Sequence, residues 1–302
     1  MRFFILGGTG FIGRHLIRYL LDAGHQVTAL VRSGSKPPLS HDSLTLVKGD
    51  PMQPGPWQEQ VGESETVINL VGAPVSVRWT EKARKTIMES RIRSTEMVVR
   101  ALRDLSPRTL ICANAIGYFG DRGNEILDEH ASYGVGFLAE VARRWQEEAE
   151  KAADFGHRVV ITRFCLVLGT SGGALKEMLP VFRLGLGGRI GPGTQWFSWV
   201  HIDDLTRAIL FAAENGAVQG PVNVCAPNPV TNRDFTRSLA STLKRPAILP
   251  VPAAAVRLVA GEAGDLVLSS LRCRPAVLEN NDFRFTFTEL DPALKDLLTP
   301  GS

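Results

Sequence analysis

Residues 3–13 read FFILGGTGFIG. Four apolar residues of strand length run straight into a glycine-rich turn. The stretch FIGRHLIRYLLDAG (11–24) then carries apolar residues at helical spacing and ends in glycine. The turn satisfies two spacings at once, Gly8-x-Gly10-x-x-Gly13 and Gly7-x-x-Gly10-x-x-Gly13. Between a strand and a helix, that spacing has a mechanism. Glycines allow a tight turn and close backbone approach to a pyrophosphate, while the helix start offers free N–H groups and partial positive charge. Gly7, Thr9, Gly10, Phe11, Ile12 and Gly13 are the expected phosphate-binding residues of a dinucleotide fold.

QVTALV (26–31) reads as the second strand, and the residue after it selects the nucleotide. Folds selective for NAD place an acid about 20 residues beyond the glycines, where it bonds the ribose 2′-hydroxyl. Arg32 stands there instead, 19 residues after Gly13. A guanidinium pairs with a 2′-phosphate that a carboxylate would repel, so NADP(H) is the expected cofactor, with Lys36 assisting. NLVG (69–72) ends a later strand, and Leu70, Val71 and Gly72 are small or apolar enough for a cofactor to pass. Arg91, on the following helix, either reaches this edge or is a surface arginine.

Strand-length runs at 44–47, 66–71, 108–113 and 157–164 alternate with helical patterns at 80–105 and 134–154. The runs at 44–47 and 66–71 read as short buried strands. Such alternation predicts right-handed parallel crossovers, an α/β fold with a Rossmann-type doubly wound parallel sheet. From Leu168 onward, TSGGALKEMLPVFRLGLGGRIGPG reads as a cap over a site. Helices are expected near 203–215, 231–243 and 252–260. The expected division is a nucleotide-binding domain at 1–168, with return segments near 200–225, and a smaller C-terminal substrate-side region at 169–302.

A net charge of +3, spread along the 302 residues, gives no reason to expect nucleic acid. Cys112, Cys165, Cys225 and Cys273 form no CxxC pair, so they read as buried thiols of a reducing compartment and not as metal ligands or disulfides. No apolar run approaches the roughly 20 residues of a membrane span, and Met1-Arg2 leads directly into a strand. A cytoplasmic protein is expected.

GGTGFIG, NLVG and SWVHIDDL together resemble the extended short-chain dehydrogenase/reductase superfamily. ANAIGYFGD, GVGFLAEVARRWQEEA, GGALKEMLPVFRLGLGGRIGPG, GPVNVCAPNPVTNRDF and RPAILPVP narrow the resemblance to its atypical "epimerase family protein" branch, also called family 39U. It covers nearly the whole chain and implies an NADP(H)-binding domain with a smaller C-terminal region.

The superfamily's catalytic pair is Tyr-x-x-x-Lys, the tyrosine as acid/base and the lysine lowering its pKa. None of Tyr19, Tyr118 and Tyr133 is followed four residues later by lysine. Matching the WQEEA helix places Phe137 and Val141 at those positions, and neither moves a proton. Cys112 and Asn114 stand where the branch tends to have serines. Asn114, as a hydrogen-bonding residue, and Tyr118, with Arg122 near it in sequence, are the candidate catalytic residues. Tyr118 serves either as acid/base or as a wall of the nicotinamide pocket. Asp128 and Glu129 are either helix-capping groups or a second candidate acid pair.

Nucleotide-sugar epimerases of the extended group carry an arginine four residues before the motif histidine, here Phe197. Arg183, Arg189, Arg272 and Arg274 remain as cations for an anion. His201, Asp203 and Asp204 read as capping and buried hydrogen-bonding groups, and no metal is expected. Three functions follow: an NADP(H)-dependent oxidoreductase on a small, partly apolar carbonyl or alcohol; a catalytically weak NADPH sensor or scaffold; and a nucleotide-sugar epimerase. A homodimer through the helices at 80–105 and 134–154 is a further expectation, as is an otherwise monomeric protein.

Overall fold

The computed structural model describes residues 1–34 and 38–299. In chain order its strands are β1 (Arg2–Leu6), β2 (Gln26–Val31), β3 (Leu44–Lys48), β4 (Thr66–Asn69), β5 (Thr109–Ala115), β6 (Ile126–Leu127) and β7 (Arg158–Phe164). They continue with β8 (Leu166–Leu168), β9 (Trp196–Phe197), β10 (Trp199–His201), β11 (Gly220–Val224), β12 (Val230–Thr231) and β13 (Arg272–Cys273). The helices are α1 (Phe11–Asp22), α2 (Glu81–Leu102), α3 (Phe137–Glu150), α4 (Gly173–Arg183) and α5 (Ile202–Glu214). After them come α6 (Asn232–Thr242), α7 (Ala253–Ala260), α8 (Asp265–Leu268), α9 (Ala276–Asn280) and α10 (Leu290–Leu298).

Seven strands form one parallel sheet in the order β11-β7-β5-β4-β1-β2-β3. Strand order reverses between β1 and β4, which opens a crevice at their carboxyl ends. Successive strand side chains face opposite sides, and helices cover both. Phe3 and Ile5 pack with Leu16, Ile17 and Leu20 of α1 and with Leu205 and Ile209 of α5. Phe4 and Leu6 pack on the other side with Trp57 from the β3–β4 connection, with Val98 and Leu102 of α2, and with Trp145 of α3. This double burial explains why the strands read as unbroken apolar runs. A smaller core joins Leu175 and Phe182 of α4, Phe235 and Leu239 of α6, and Leu290 and Leu294 of α10.

Several expectations need correction. β3 is a largely exposed edge strand and not a buried one, because only β2 pairs with it. β4 stops at Asn69, two residues early, because the Asn69 side chain accepts from the Val71 N–H and ends the ladder. α3 starts at Phe137 and not at residue 134. Gly134 packs its Cα against the Phe119 carbonyl, and Gly136 takes a φ of 115°. The glycine-rich cap contains an eleven-residue helix, α4, with Pro180 inside it.

All four cysteines are free, and burial pushes the Cys112 and Cys273 thiols up to about 12. No described helix is long and apolar enough to cross a membrane.

The SWVHIDDL motif ties the sheet to the chain segment just before α10. His201 caps α5 by accepting from the Asp203 N–H, and its ring stacks on Phe287 at 4.1 Å. Asp204 is fully buried; its Oδ1 accepts from Thr286 N and Arg207 Nη1, and its Oδ2 from Phe287 N. Removing that carboxylate strands the Thr286 and Phe287 amides, while the part-exposed Arg207 keeps the Thr286 hydroxyl and the Arg284 carbonyl. Asp204→Ala should therefore lose at least about 2 kcal/mol, from about 1–3 kcal/mol for each buried amide left without its acceptor. Asp204→Asn, which keeps an acceptor, should lose less. Chemical denaturation of both variants checks the order.

Candidate functional site

The glycine turn closes by hydrogen bonds from Gly10 N to Gly7 O and from Arg14 N to Gly10 O. Gly7 has a φ of +81°, and a Cβ there would stand 2.8 Å from the Leu70 carbonyl carbon. A Cβ on Gly13 would fall 2.7 Å from Gly8 Cα. The first βα turn, the start of α1 and the chain leaving β4 thus meet backbone to backbone. Gly10 caps α1 with no side-chain hydrogen bond, so the first-turn amides face the crevice unclaimed by a capping side chain. This cradle fits a pyrophosphate. Thr9 contributes its carbonyl to Arg14 Nε at 2.9 Å, and Ile12 packs against the core below.

Phe11 has a role that its sequence position did not reveal. Cβ atoms on Gly169 or Gly172 would stand 2.6 Å from its side chain, and one on Gly173 would stand 3.0 Å from it. Its ring therefore seats in a notch of glycines from the β8–α4 connection and joins the phosphate turn to the second half of the chain.

Arg32 follows β2 directly and is exposed, with no hydrogen-bond or ion-pair partner among the described residues. Its guanidinium is available for an anion. Lys36 lies outside the described residues.

At the β4 exit, the fully buried Asn69 donates to Thr95 Oγ1 at 3.0 Å and to Ser94 Oγ at 3.4 Å. Trp145 Nε1 donates to the same Thr95 hydroxyl. Arg91 is not a surface arginine. Its guanidinium lies over Trp145 at 5.2 Å and would stand 3.0 Å from a Gly72 Cβ. Burial lowers its pKa to about 10. Leu70, Val71, Gly72 and Arg91 thus share one edge, and Arg91 brings a cation against Trp145 of α3. Val141 is buried.

The expected catalytic residues stand less simply. Asn114 is buried; it donates to the Ala142 carbonyl and accepts from the Ala115 N–H. Its amide ties β5 to α3. Tyr118 sits on the turn after β5, but Arg122 does not act on it. Arg122 is held by Glu125 in a two-pronged pair at 2.7 and 2.8 Å. The cation at Tyr118 is Arg163, whose Cζ lies 3.7 Å from the ring centre. Arg163 leaves β7 beside Asn114 and is only 1% exposed. It donates to Gln146 Oε1 and to the Glu129 carbonyl. The intervening burial hides this pairing from sequence spacing.

Glu129 is also buried, which raises its pKa, but its Oε1 accepts from the amides of Asn223 and Val277. It is a tie between β11 and α9. Asp128 accepts from the His130 N–H in a local turn. Tyr133 is largely exposed and meets Tyr118 edge-on at 6.2 Å.

On the substrate side, Phe197 packs on Phe235 and Trp196 stacks under Arg272 at 4.3 Å. Arg274 is paired with Glu279, and Arg183 is exposed at the end of α4. Arg189 joins Arg233, Arg237 and Arg245 around a cleft of about 420 Å³ that includes no residue of the glycine turn. His201, Asp203 and Asp296 approach one another closely. The His201 Nδ1 is already taken by an amide, and its Nε2 faces Asp296 at 3.2 Å off the hydrogen-bond direction. His15 Nε2 occupies Asp203 Oδ1 at 2.5 Å.

The cradle's tightness gives a test. Gly13→Ala forces the turn apart from α1, so nucleotide affinity should fall by at least about tenfold, the equivalent of a 1.4 kcal/mol loss. Nucleotide fluorescence titration reads the affinity, and circular dichroism checks that the fold is retained.

Residues 3–225 match the NAD dependent epimerase/dehydratase family, and residues 251–297 match DUF1731, a domain of unknown function. The chain is similar to the chloroplastic epimerase family protein SDR39U1 homolog of Arabidopsis thaliana, at 37% identity over 97% of this chain and 86% of that protein. It is 36% identical to epimerase family protein YfhF of Bacillus subtilis, over 99% of this chain and 98% of that one. Human epimerase family protein SDR39U1, solved with NADPH, has a TM-score of 0.85 and 29% identity over 98% of this chain and 99% of its own. A UDP-glucuronic acid 4-epimerase of Bacillus cereus, solved with UDP-glucuronic acid and NAD, has a TM-score of 0.80 at 16% identity over 98% of each chain, a likeness of fold alone. With one family model running from the first strand through the return strand β11, the chain belongs to the NAD dependent epimerase/dehydratase family.

Proposed function

We propose that this protein binds NADP(H) and is an oxidoreductase on a small, partly apolar carbonyl or alcohol, with its proton relay rebuilt away from the Tyr-x-x-x-Lys positions. The observation that carries the reading is the pyrophosphate cradle of Gly7, Gly10 and Gly13 with the exposed Arg32 at the end of β2. The NADPH in the human relative agrees with it.

In this reading Arg32 pairs with the 2′-phosphate and the α1 amides hold the pyrophosphate. The cofactor when bound supplies a hydride to the carbonyl carbon, and the carbonyl oxygen takes up one proton to give the alcohol. Arg91, dried by burial beside Gly72, holds a fixed positive charge at the edge where that negative charge develops. In this reading Tyr118 is the phenol that hands over the proton, with the Arg163 guanidinium lying against its ring. Asn114 keeps β5 and α3 in register beneath it.

A second reading, an NADPH-binding sensor or scaffold of little activity, is favoured by Phe137 and Val141, which move no proton. A nucleotide-sugar epimerase is the weaker reading because Phe197 packs on Phe235 instead of presenting a cation to a diphosphate.

Arg32→Ala should weaken NADPH about 10–100-fold, the worth of a hydrogen bond to a charged group, and leave NADH nearly unchanged. Equal wild-type affinity for the two cofactors counts against the cofactor assignment. For the reaction, purified protein should oxidise NADPH at 340 nm with some members of a panel of aldehydes and ketones; inertness across the panel favours the sensor. In an active preparation, Tyr118→Phe should lower kcat by about 10²–10⁴-fold, the usual share of acid/base catalysis. Unchanged turnover makes Tyr118 a pocket wall.

A further inference from the structure

Phe137 opens α3 at the position matched to the family's tyrosine, and its ring is not bare. Trp79 meets it edge-on at 5.1 Å, and the Arg84 guanidinium lies over it, Cζ 4.7 Å from the ring centre. Arg84 comes from the first turn of α2, and its Nε donates to the Trp79 carbonyl at 3.4 Å. Its Nη2 is paired with Glu262 Oε2. Glu262 lies in a single helical turn, Gly261–Gly264, within the DUF1731 match. A carboxylate from the C-terminal region therefore rests on a guanidinium above the place where acid/base chemistry is missing.

That pairing is loosely held. The Arg84 side chain is 33% exposed and that of Glu262 is 69% exposed. Ion pairs this open contribute little to stability and are readily exchanged. The helix α7, from which the turn continues, has no buried residue of its own. By contrast, the aromatic pair beneath the guanidinium is fixed. Trp79 Nε1 donates to the Val75 carbonyl, and Leu138, next to Phe137, packs against Gly117 beside Tyr118. The result is an aromatic wall, a planar cation above it, and a solvent-exposed carboxylate on that cation.

We propose that Arg84 recognises a carboxylate on the substrate, with Glu262 occupying the guanidinium when substrate is absent. The substrate class is then a small carbonyl acid, or the matching hydroxy acid, whose apolar body packs on Trp79 and Phe137. This rests on the oxidoreductase reading above and supplies its substrate class. Arg84 is a specificity-determining residue: a guanidinium matches a carboxylate in two-pronged geometry, as it does not match a neutral isostere.

The test is calorimetric titration of the NADPH-loaded protein with cyclohexanecarboxylate and with cyclohexylmethanol, which has the same ring but no charge. The carboxylate should bind the wild type measurably more tightly than the alcohol. Glu262→Gln, which removes the competing carboxylate, should tighten the acid about three- to tenfold, while Arg84→Gln should weaken it at least about tenfold. Neither variant should change the alcohol. Arg84→Lys, which keeps the charge and loses the planar fork, should fall between. Equal binding of acid and alcohol to both wild type and Glu262→Gln overturns the proposal. So does an Arg84→Gln variant that is folded by circular dichroism and binds the acid as wild type does. NADPH affinity measured in parallel tests the parent reading separately. Carboxylate recognition in a protein that binds no NADPH would overturn the oxidoreductase and leave the Arg84 assignment standing.

Discussion

The structure depends on one close approach of backbone to backbone. Gly7 and Gly13 let the end of β1, the first turn of α1 and the chain leaving β4 touch without side chains between them. No other residue fits there: a Cβ at either position falls inside van der Waals distance of backbone atoms, which cannot swing away as a side chain could. That contact sets where the crevice between β1 and β4 opens and aims the free amides of α1 into it. Phe11 carries the constraint further, since its ring is clasped by glycines 169, 172 and 173. The phosphate turn therefore also locates the β8–α4 connection, and through it the smaller core of α4, α6 and α10.

Around this frame, the start of α3 is filled with packing, and cations reach it from neighbouring elements. Val141 joins the core, while Arg91 reaches the same region from α2 and lies against Trp145. Asn69, Thr95 and Trp145 form a buried, mutually satisfied network under it. Such a network is rigid because each member would lose a partner by moving, and in a low dielectric that loss is costly. Arg163 behaves similarly under Tyr118: its charge is buried, stacked and hydrogen-bonded, so it is held in one place. Arg91 and Arg163 are thus held as fixed cations, each against an aromatic ring.

What was legible and what was not divides along the same physical line. The strand–turn–helix of 3–24, the six-residue β2 and the alternation through β7 all follow from local period and turn chemistry. Glycine, proline and apolar spacing act within a few residues of themselves. The boundary errors came from side chains that bond backbone, such as Asn69 ending β4, or from glycines packed against a distant carbonyl, as Gly134 is against Phe119. Asp128 and Glu129 read as capping groups or as an acid pair because they stand side by side before a helix, yet the Glu129 carboxylate accepts from the amides of residues 223 and 277. Arg122 read as the cation of Tyr118 because it is four residues away. The actual neighbour, Arg163, is 45 residues away and arrives through the pairing of β5 with β7.

By itself, then, the sequence determined the dinucleotide cradle, the parallel α/β order and the loss of the Tyr-x-x-x-Lys pair, because each is written in neighbouring residues. Only the tertiary structure decided which ring or carboxylate each arginine meets. Arg91 over Gly72, Arg163 on Tyr118 and Arg84 between Phe137 and Glu262 are contacts that crossovers and loop packing bring together. No local rule of spacing encodes them, since a guanidinium on a long side chain takes its role from whichever ring or carboxylate the fold delivers to it.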